Sequence, residues 1–245
     1  MCDYRAGRWP QAEERLRAAL GLARGALLVP AESRLSSTLG EVFRVQGRYD
    51  EARLACDEGL RLARQAGSAA HASIAAGCLA IVATARGDYA AALRGFDAAL
   101  RAAEELGLYE NRVAALNNLG MVQQLQGDRG QALAYYDDVR AAAAAAGDRA
   151  GLARALLNSG GLLRDLGRLE EARAALERGA ALAEELGDAE LRAHAAQALG
   201  DLEFARGAPE AARARYEAAL RLRSGQGVPW LEAALLQRVA DTLLL

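Results

Sequence analysis

A glycine recurs at Gly7, Gly47, Gly87, Gly127, Gly167 and Gly207, holding a spacing of 40 residues along a chain of 245. Five positions after each stands an alanine: Ala12, Ala52, Ala92, Ala132, Ala172 and Ala212. A register kept over this length is a tandem repeat, in which each repeat is one structural unit. Stacked repeats build extended surfaces rather than closed pockets. The pattern therefore points towards recognition before catalysis.

A second column lies halfway through the period, at Leu27, Gly67, Gly107, Gly147, Gly187 and Gly227. The two columns bound segments of about 16–18 residues, in which apolar side chains recur at helical spacing, as in Leu93, Phe96, Ala99 and Leu100. Each repeat is thus read as two helices. The glycines suit helix C-termini, because they adopt the left-handed conformation without a side-chain penalty. An N-cap residue follows several of them at once: Gly67-Ser68, Gly87-Asp88, Gly147-Asp148 and Gly187-Asp188. A stop followed directly by a start forces a tight reversal, so neighbouring helices run antiparallel.

Two further columns complete the unit. Small residues stand inside the first helix, at Leu39-Gly40, Leu119-Gly120 and Leu199-Gly200, with related pairs Leu79-Ala80, Ser159-Gly160 and Val239-Ala240. They are expected to let another helix backbone come close. A bulky column in the second helix holds Leu16, Cys56, Phe96, Tyr136, Leu176 and Tyr216.

Leu119-Gly120, Ala132 and Tyr136 together resemble the tetratricopeptide repeat signature, and Leu79-Ala80/Ala92/Phe96 and Leu199-Gly200/Ala212/Tyr216 follow it closely. The usual unit has about 34 residues; the longer period resembles the variants of kinesin light chains, Pins-type adaptors and bacterial regulators. HEAT repeats share the period but lack this column set. The resemblance implies an all-α, right-handed superhelical solenoid of antiparallel helix hairpins spanning residues 1–245. Full hairpins are expected near 28–67, 68–107, 108–147, 148–187 and 188–227, with partial units at 1–27 and 228–245. The array begins and stops within a unit, which favours either a piece of a longer protein or self-association through the terminal helices.

The charge is balanced, 30 basic against 32 acidic residues, and every basic residue is arginine. A balanced chain has no broad basic face to attract nucleic acid. The N-terminus carries no signal-peptide pattern and no stretch is apolar enough for a membrane span, so a cytoplasmic protein is expected. Cys2, Cys56 and Cys78 have no metal-ligand spacing and are read as reduced thiols. His71 and His194 are the two histidines; His71 and Cys78 share a helix face, but two ligands do not make a zinc site. No phosphate-cradling glycine loop and no nucleophile constellation is found. Glu104-Glu105 and Glu184-Glu185 read as solvated charge. Neither an enzyme nor a cofactor is expected.

In the family the first helix of each hairpin lines the concave groove. The stripe so implied is Arg34, Ser37, Glu41 and Arg44; Ile74, Gly77, Ile81 and Thr84; Ala114, Asn117, Met121 and Gln124; Arg154, Leu157, Gly161 and Arg164; and His194, Gln197, Asp201 and Phe204. Asn118 and Asn158 stand beside it, where amides can both donate to and accept from a peptide backbone. Arg154 and Arg164 could grip a carboxylate through two parallel bonds. The chain lacks the lysines of the carboxylate clamp found in chaperone-binding members. The expected function is a non-catalytic scaffold that binds a peptide or a partner helix in this groove. The alternative is a sensory or regulatory part of a larger bacterial signalling enzyme or transcription regulator.

Overall fold

The computed structural model describes residues 9–223 and 229–243, apart from the side chains of residues 229–232. Gly7, Gly227, Cys2, Leu244 and Leu245 lie outside them. The described residues form twelve α-helices and no strand: α1 (Trp9–Gly25), α2 (Val29–Val45), α3 (Tyr49–Gln65), α4 (Ala69–Ala85), α5 (Tyr89–Glu105), α6 (Tyr109–Gln126), α7 (Arg129–Ala146), α8 (Arg149–Asp165), α9 (Leu169–Leu186), α10 (Ala189–Ala205), α11 (Pro209–Arg223) and α12 (Pro229–Asp241). The chain divides into two compact units, meeting in sequence between Gln126 and Gly127. In unit 1 each helix from α1 to α6 packs on the next, and α4 also touches α2 and α6. In unit 2 the same holds from α7 to α12, with α8 against α10. The boundary falls inside the hairpin expected at 108–147.

The reversals share one mechanism. The Arg48 amide donates to the Phe43 carbonyl at 2.9 Å, and 20 residues on the Ser68 amide donates to Ala63 at the same distance. Equivalent bonds join Asp88 to Ala83 and Arg168 to Leu163. Such a bond closes the helix end only when the residue before the donor is left-handed, and the glycines there have φ between 63° and 88°. Ser68, Asp88, Asp148 and Asp188 then cap the following helices by accepting from His71, Ala91, Gly151 and Leu191 amides, and Asp128 caps α7 in the same way. Leu27 makes the same turn without glycine, at φ 55°.

Each hairpin buries the columns read from the sequence. Ala52, Ala92, Ala132, Ala172 and Ala212 are fully buried, as are Cys56, Phe96, Tyr136, Leu176 and Tyr216 to within 2%. The small position inside the first helix receives these bulky side chains and lets the partner backbone come close, the Ala52 carbonyl oxygen lying 3.0 Å from where a Gly40 Cβ would stand. A methyl group added at Gly160 would come within 2.6 Å of the Leu176 side chain, and one at Gly200 within 2.6 Å of the Tyr216 ring. Across the hairpin, Ser33 Oγ donates to the Gly59 carbonyl at 2.8 Å, tying α2 to α3.

One expectation is corrected. The structure joins Cys56 to Cys78 by a disulfide, with Cα atoms 5.9 Å apart. The partners lie 22 residues apart on α3 and α4, and only the packing of those helices brings them together, so spacing alone held no sign of it. Glu104, Glu105, Glu184 and Glu185 are exposed, as read from the sequence, and three of them form surface ion pairs: Glu104 with Arg112 (3.4 Å), Glu184 with Arg192 (2.8 Å) and Glu185 with Arg149.

The left-handed turn yields a paired prediction. A side chain in this conformation costs roughly 1–2 kcal/mol, so Leu27→Gly should stabilise the protein by about 1 kcal/mol and Gly187→Ala should destabilise it comparably. Urea melts of the two variants beside the parent chain would show opposite shifts; shifts of the same sign would sink the account.

Candidate functional site

The first helix of a hairpin turns one side to its own partner and another to the open face of its unit. In unit 1 the open faces of α2, α4 and α6 enclose a groove with a cavity of about 570 Å³. Its floor is apolar, from Ile74, Gly77 and Ile81 on α4 and Ala114 on α6. Arg34, Thr38 and Glu41 form the α2 wall, and Glu110, Asn111 and Asn118 the α6 wall. Ile74 is exposed at the floor although it is branched and apolar. Leaving such a surface uncovered forgoes about 25 cal/mol for each Å² a partner would remove from water.

Of the residues expected to face the groove, Arg34, Ile74, Ile81 and Asn118 come together here, with Ser37, Glu41, Gly77 and Ala114. Arg44 on the same helix instead donates its Nε to Glu41 at 2.8 Å. Asn117 turns back onto α6, its amide donating to the Val113 carbonyl at 3.2 Å. Thr84 likewise bonds its own helix, donating to Ala80 at 2.8 Å. Met121 is exposed and Gln124 half-buried one and two turns beyond Asn117. Glu110, Asn111 and Thr38 escaped the sequence reading. Glu110 lies four residues before Ala114, so extending the stripe by one helical turn would have found it.

The second set lies in unit 2. Arg154 is exposed on α8, while Asn158 beside it is half-buried. Leu157 turns into the hairpin, where a methyl added at Gly179 would meet its side chain at 2.9 Å. Arg164 does not reach out: it donates to Asp165 at 2.6 Å and pairs with Asp201 at 2.9 Å. Asp201 also accepts from the Tyr216 hydroxyl at 3.0 Å and pairs with Arg238. Burial, chiefly, pushes the Tyr216 phenol up to about 12. His194 and Gln197 are half-buried on α10. Burial, followed by the charges of Arg223 and Arg154, holds the His194 imidazole below its ordinary range. His71 has a structural task instead, its ring Nδ1 2.7 Å from the capping hydroxyl of Ser68.

Among the described residues no group of three or more His, Cys, Asp or Glu side chains is placed to hold a metal ion. No helix among them is long and apolar enough to cross a membrane.

The repeat columns, the hairpin cores and the groove meet in one class of protein. The tetratricopeptide repeat profile matches residues 71–145 and 151–224, more than half of the chain. The chain belongs to the tetratricopeptide repeat family and is an all-α solenoid of the kind that family builds, an architecture of protein-interaction modules. A comparison with curated protein sequences finds no match. Among solved structures it is similar to BtubC (BKLC) from P. vanneervenii, with TM-score 0.69, 21% identity and 91% of each chain covered. It is similar to a Rap protein complexed with Competence and Sporulation Factor, with TM-score 0.74, 15% identity, and 99% of this chain and 72% of that one covered. TTC0263, a thermophilic tetratricopeptide repeat protein of Thermus thermophilus, gives 0.62 and 24%, covering 87% of this chain and 100% of that one. At these identities the likeness is one of fold.

Unit 2 generates two predictions. Asp201→Ala would leave the Arg164 and Arg238 charges and the Tyr216 hydroxyl short of their acceptor. Loss of hydrogen bonds to a charged, largely buried group should lower stability by about 2 kcal/mol, read from denaturant melts. For His194 the folded-state value lies below the unfolded one. Its contribution is therefore constant above about pH 6.5 and is lost as the pH falls below that, because protonation then favours the unfolded chain. Melting temperatures at neutral and mildly acid pH should converge in His194→Asn relative to the parent, and an unchanged difference would refute the assignment.

Proposed function

We propose that this protein is a non-catalytic scaffold that holds a peptide segment or partner helix in the concave groove of unit 1. The observation that carries the reading is the apolar floor of Ile74, Gly77 and Ile81 between two polar walls. A bulky apolar side chain of the partner fills the cavity, and the Asn118 amide pairs with the partner's backbone. Arg34 and Glu110, on opposite walls, favour a partner whose anchor is flanked by an acidic residue on one side and a basic one on the other. Arg154, Asn158, His194 and Gln197 form a separate polar face on unit 2, proposed as a binding surface in its own right. The similar Rap protein was solved in complex with a factor, which supports this fold as a holder of a second molecule. A single solenoid over residues 1–245 and a cytoplasmic setting belong to the same proposal. In the reducing cytoplasm Cys56 and Cys78 would pack as small apolar side chains in the core they already occupy.

The test places a photo-crosslinking amino acid at Ile74 and identifies the captured peptide by mass spectrometry. Binding of that peptide is then measured for Ile81→Arg, which puts a charge on the floor, and for Asn118→Ala. Ile81→Arg should weaken binding at least tenfold, about 1.4 kcal/mol, with the helical spectrum unchanged. Equal affinity in a folded Ile81→Arg variant would move the site away from this groove.

A further inference from the structure

The hairpins repeat one kind of contact along the chain, and their pattern of burial defines what two complementary helix faces look like. On the first helix of a hairpin, the stripe that meets its partner includes Ser33, Ser37 and Gly40, which sit against Gly59 and Cys56 of α3. On α8 the equivalent residues are Ala153, Leu157 and Gly160, set against Gly179 and Leu176 of α9. These side chains are buried in both hairpins.

Helix α12 carries the same stripe 80 residues beyond α8, at Ala233, Leu236, Gln237 and Ala240, continued by Leu243 in the turn just past its end, and all five are exposed. Leu236 is 54% exposed where its equivalents Leu116 and Leu156 are 3% exposed, and Leu243 is 63% exposed where Leu163 is 7% exposed. The opposite half of the contact is bare on α1. Leu22 is 76% exposed where Leu62, its equivalent on α3, is 3% exposed. Ala19 is only half-buried where Gly59, Ala99 and Ala219 are buried. Among the described residues α12 has the face of a first helix and α1 that of a second, each without the other. Large apolar side chains left exposed in register on one face mark an interaction surface.

We propose that α12 of one copy docks on α1 of a second copy of this chain, completing a hairpin between molecules. The fit follows the internal hairpins. Ala240 stands at the small position and would receive Leu16, as Gly160 receives Leu176. Leu236 and Leu243 would cover Ala19 and Leu22. The contact is head-to-tail, so a pair keeps one free face of each kind, and association adds further copies unless the ring closes. It does not depend on the groove proposal, and either can fail alone.

The unaltered chain is examined by sedimentation velocity and light scattering over rising concentration, beside Leu22→Glu and Leu236→Glu. Both substitutions fall on exposed positions, so circular dichroism should match the parent. The expected result is a mass that climbs past the dimer for the parent and stays monomeric for each variant alone. Mixing the two variants should restore association and stop at a one-to-one pair, because the mixture contains one intact α12 face and one intact α1 face. Should a variant unfold, Ala19→Glu or Leu243→Glu replaces it in the same scheme. A parent that is monomeric throughout overturns the proposal and leaves the two faces to a foreign helix or to further repeats of the same polypeptide. A parent that associates while the mixed variants do not also overturns it, since the contact then lies elsewhere or is symmetrical.

Discussion

The structure depends on one steric match: a residue with almost no side chain on the first helix of each hairpin, facing a bulky one on the second. Gly160 against Leu176 and Gly200 against Tyr216 leave no room for a single added methyl group. The match sets how near the two helices lie, and so which other positions they bury. Protein interiors tolerate neither the void nor the overlap that a swap would bring. The fully buried alanines, one turn before the bulky column, are the second half of the same fit. With the helices this close, the outward stripe of each first helix is free to form a surface, and the groove of unit 1 is that surface.

Much of this is legible in the sequence. A left-handed residue every twentieth position, a capping side chain directly after it and the alternation of small and bulky columns are local or strictly periodic features. They survive in sequence because each hairpin repeats the same physics. Cys56, Phe96, Tyr136, Leu176 and Tyr216 recur at a fixed interval, and that interval alone marks them as one core column.

Features that belong to one hairpin, or to the way two hairpins meet, were not legible. The bond between Cys56 and Cys78 has no periodic counterpart, so the columns could not announce it. Arg44, Asn117 and Arg164 occupy groove-stripe positions by number, yet a nearby acceptor on Glu41, Val113 or Asp165 and Asp201 takes each of them. Side chains this long choose among acceptors within reach, and periodicity does not rank those acceptors. The apolar floor at Ile74 and Ile81 was legible because an isoleucine has no such choice to make.

The ion pairs across the reversals carry a consequence for how such a chain can be rebuilt. Arg24 pairs with Glu32 across one turn, whereas 80 and 160 residues further on Glu104 pairs with Arg112 and Glu184 with Arg192. The signs are exchanged while the positions are kept. Modules cut at these turns are therefore not interchangeable: splicing the end of α1 to the start of α6 would set Arg24 against Arg112. A shuffled array would inherit the right cores and the wrong seams.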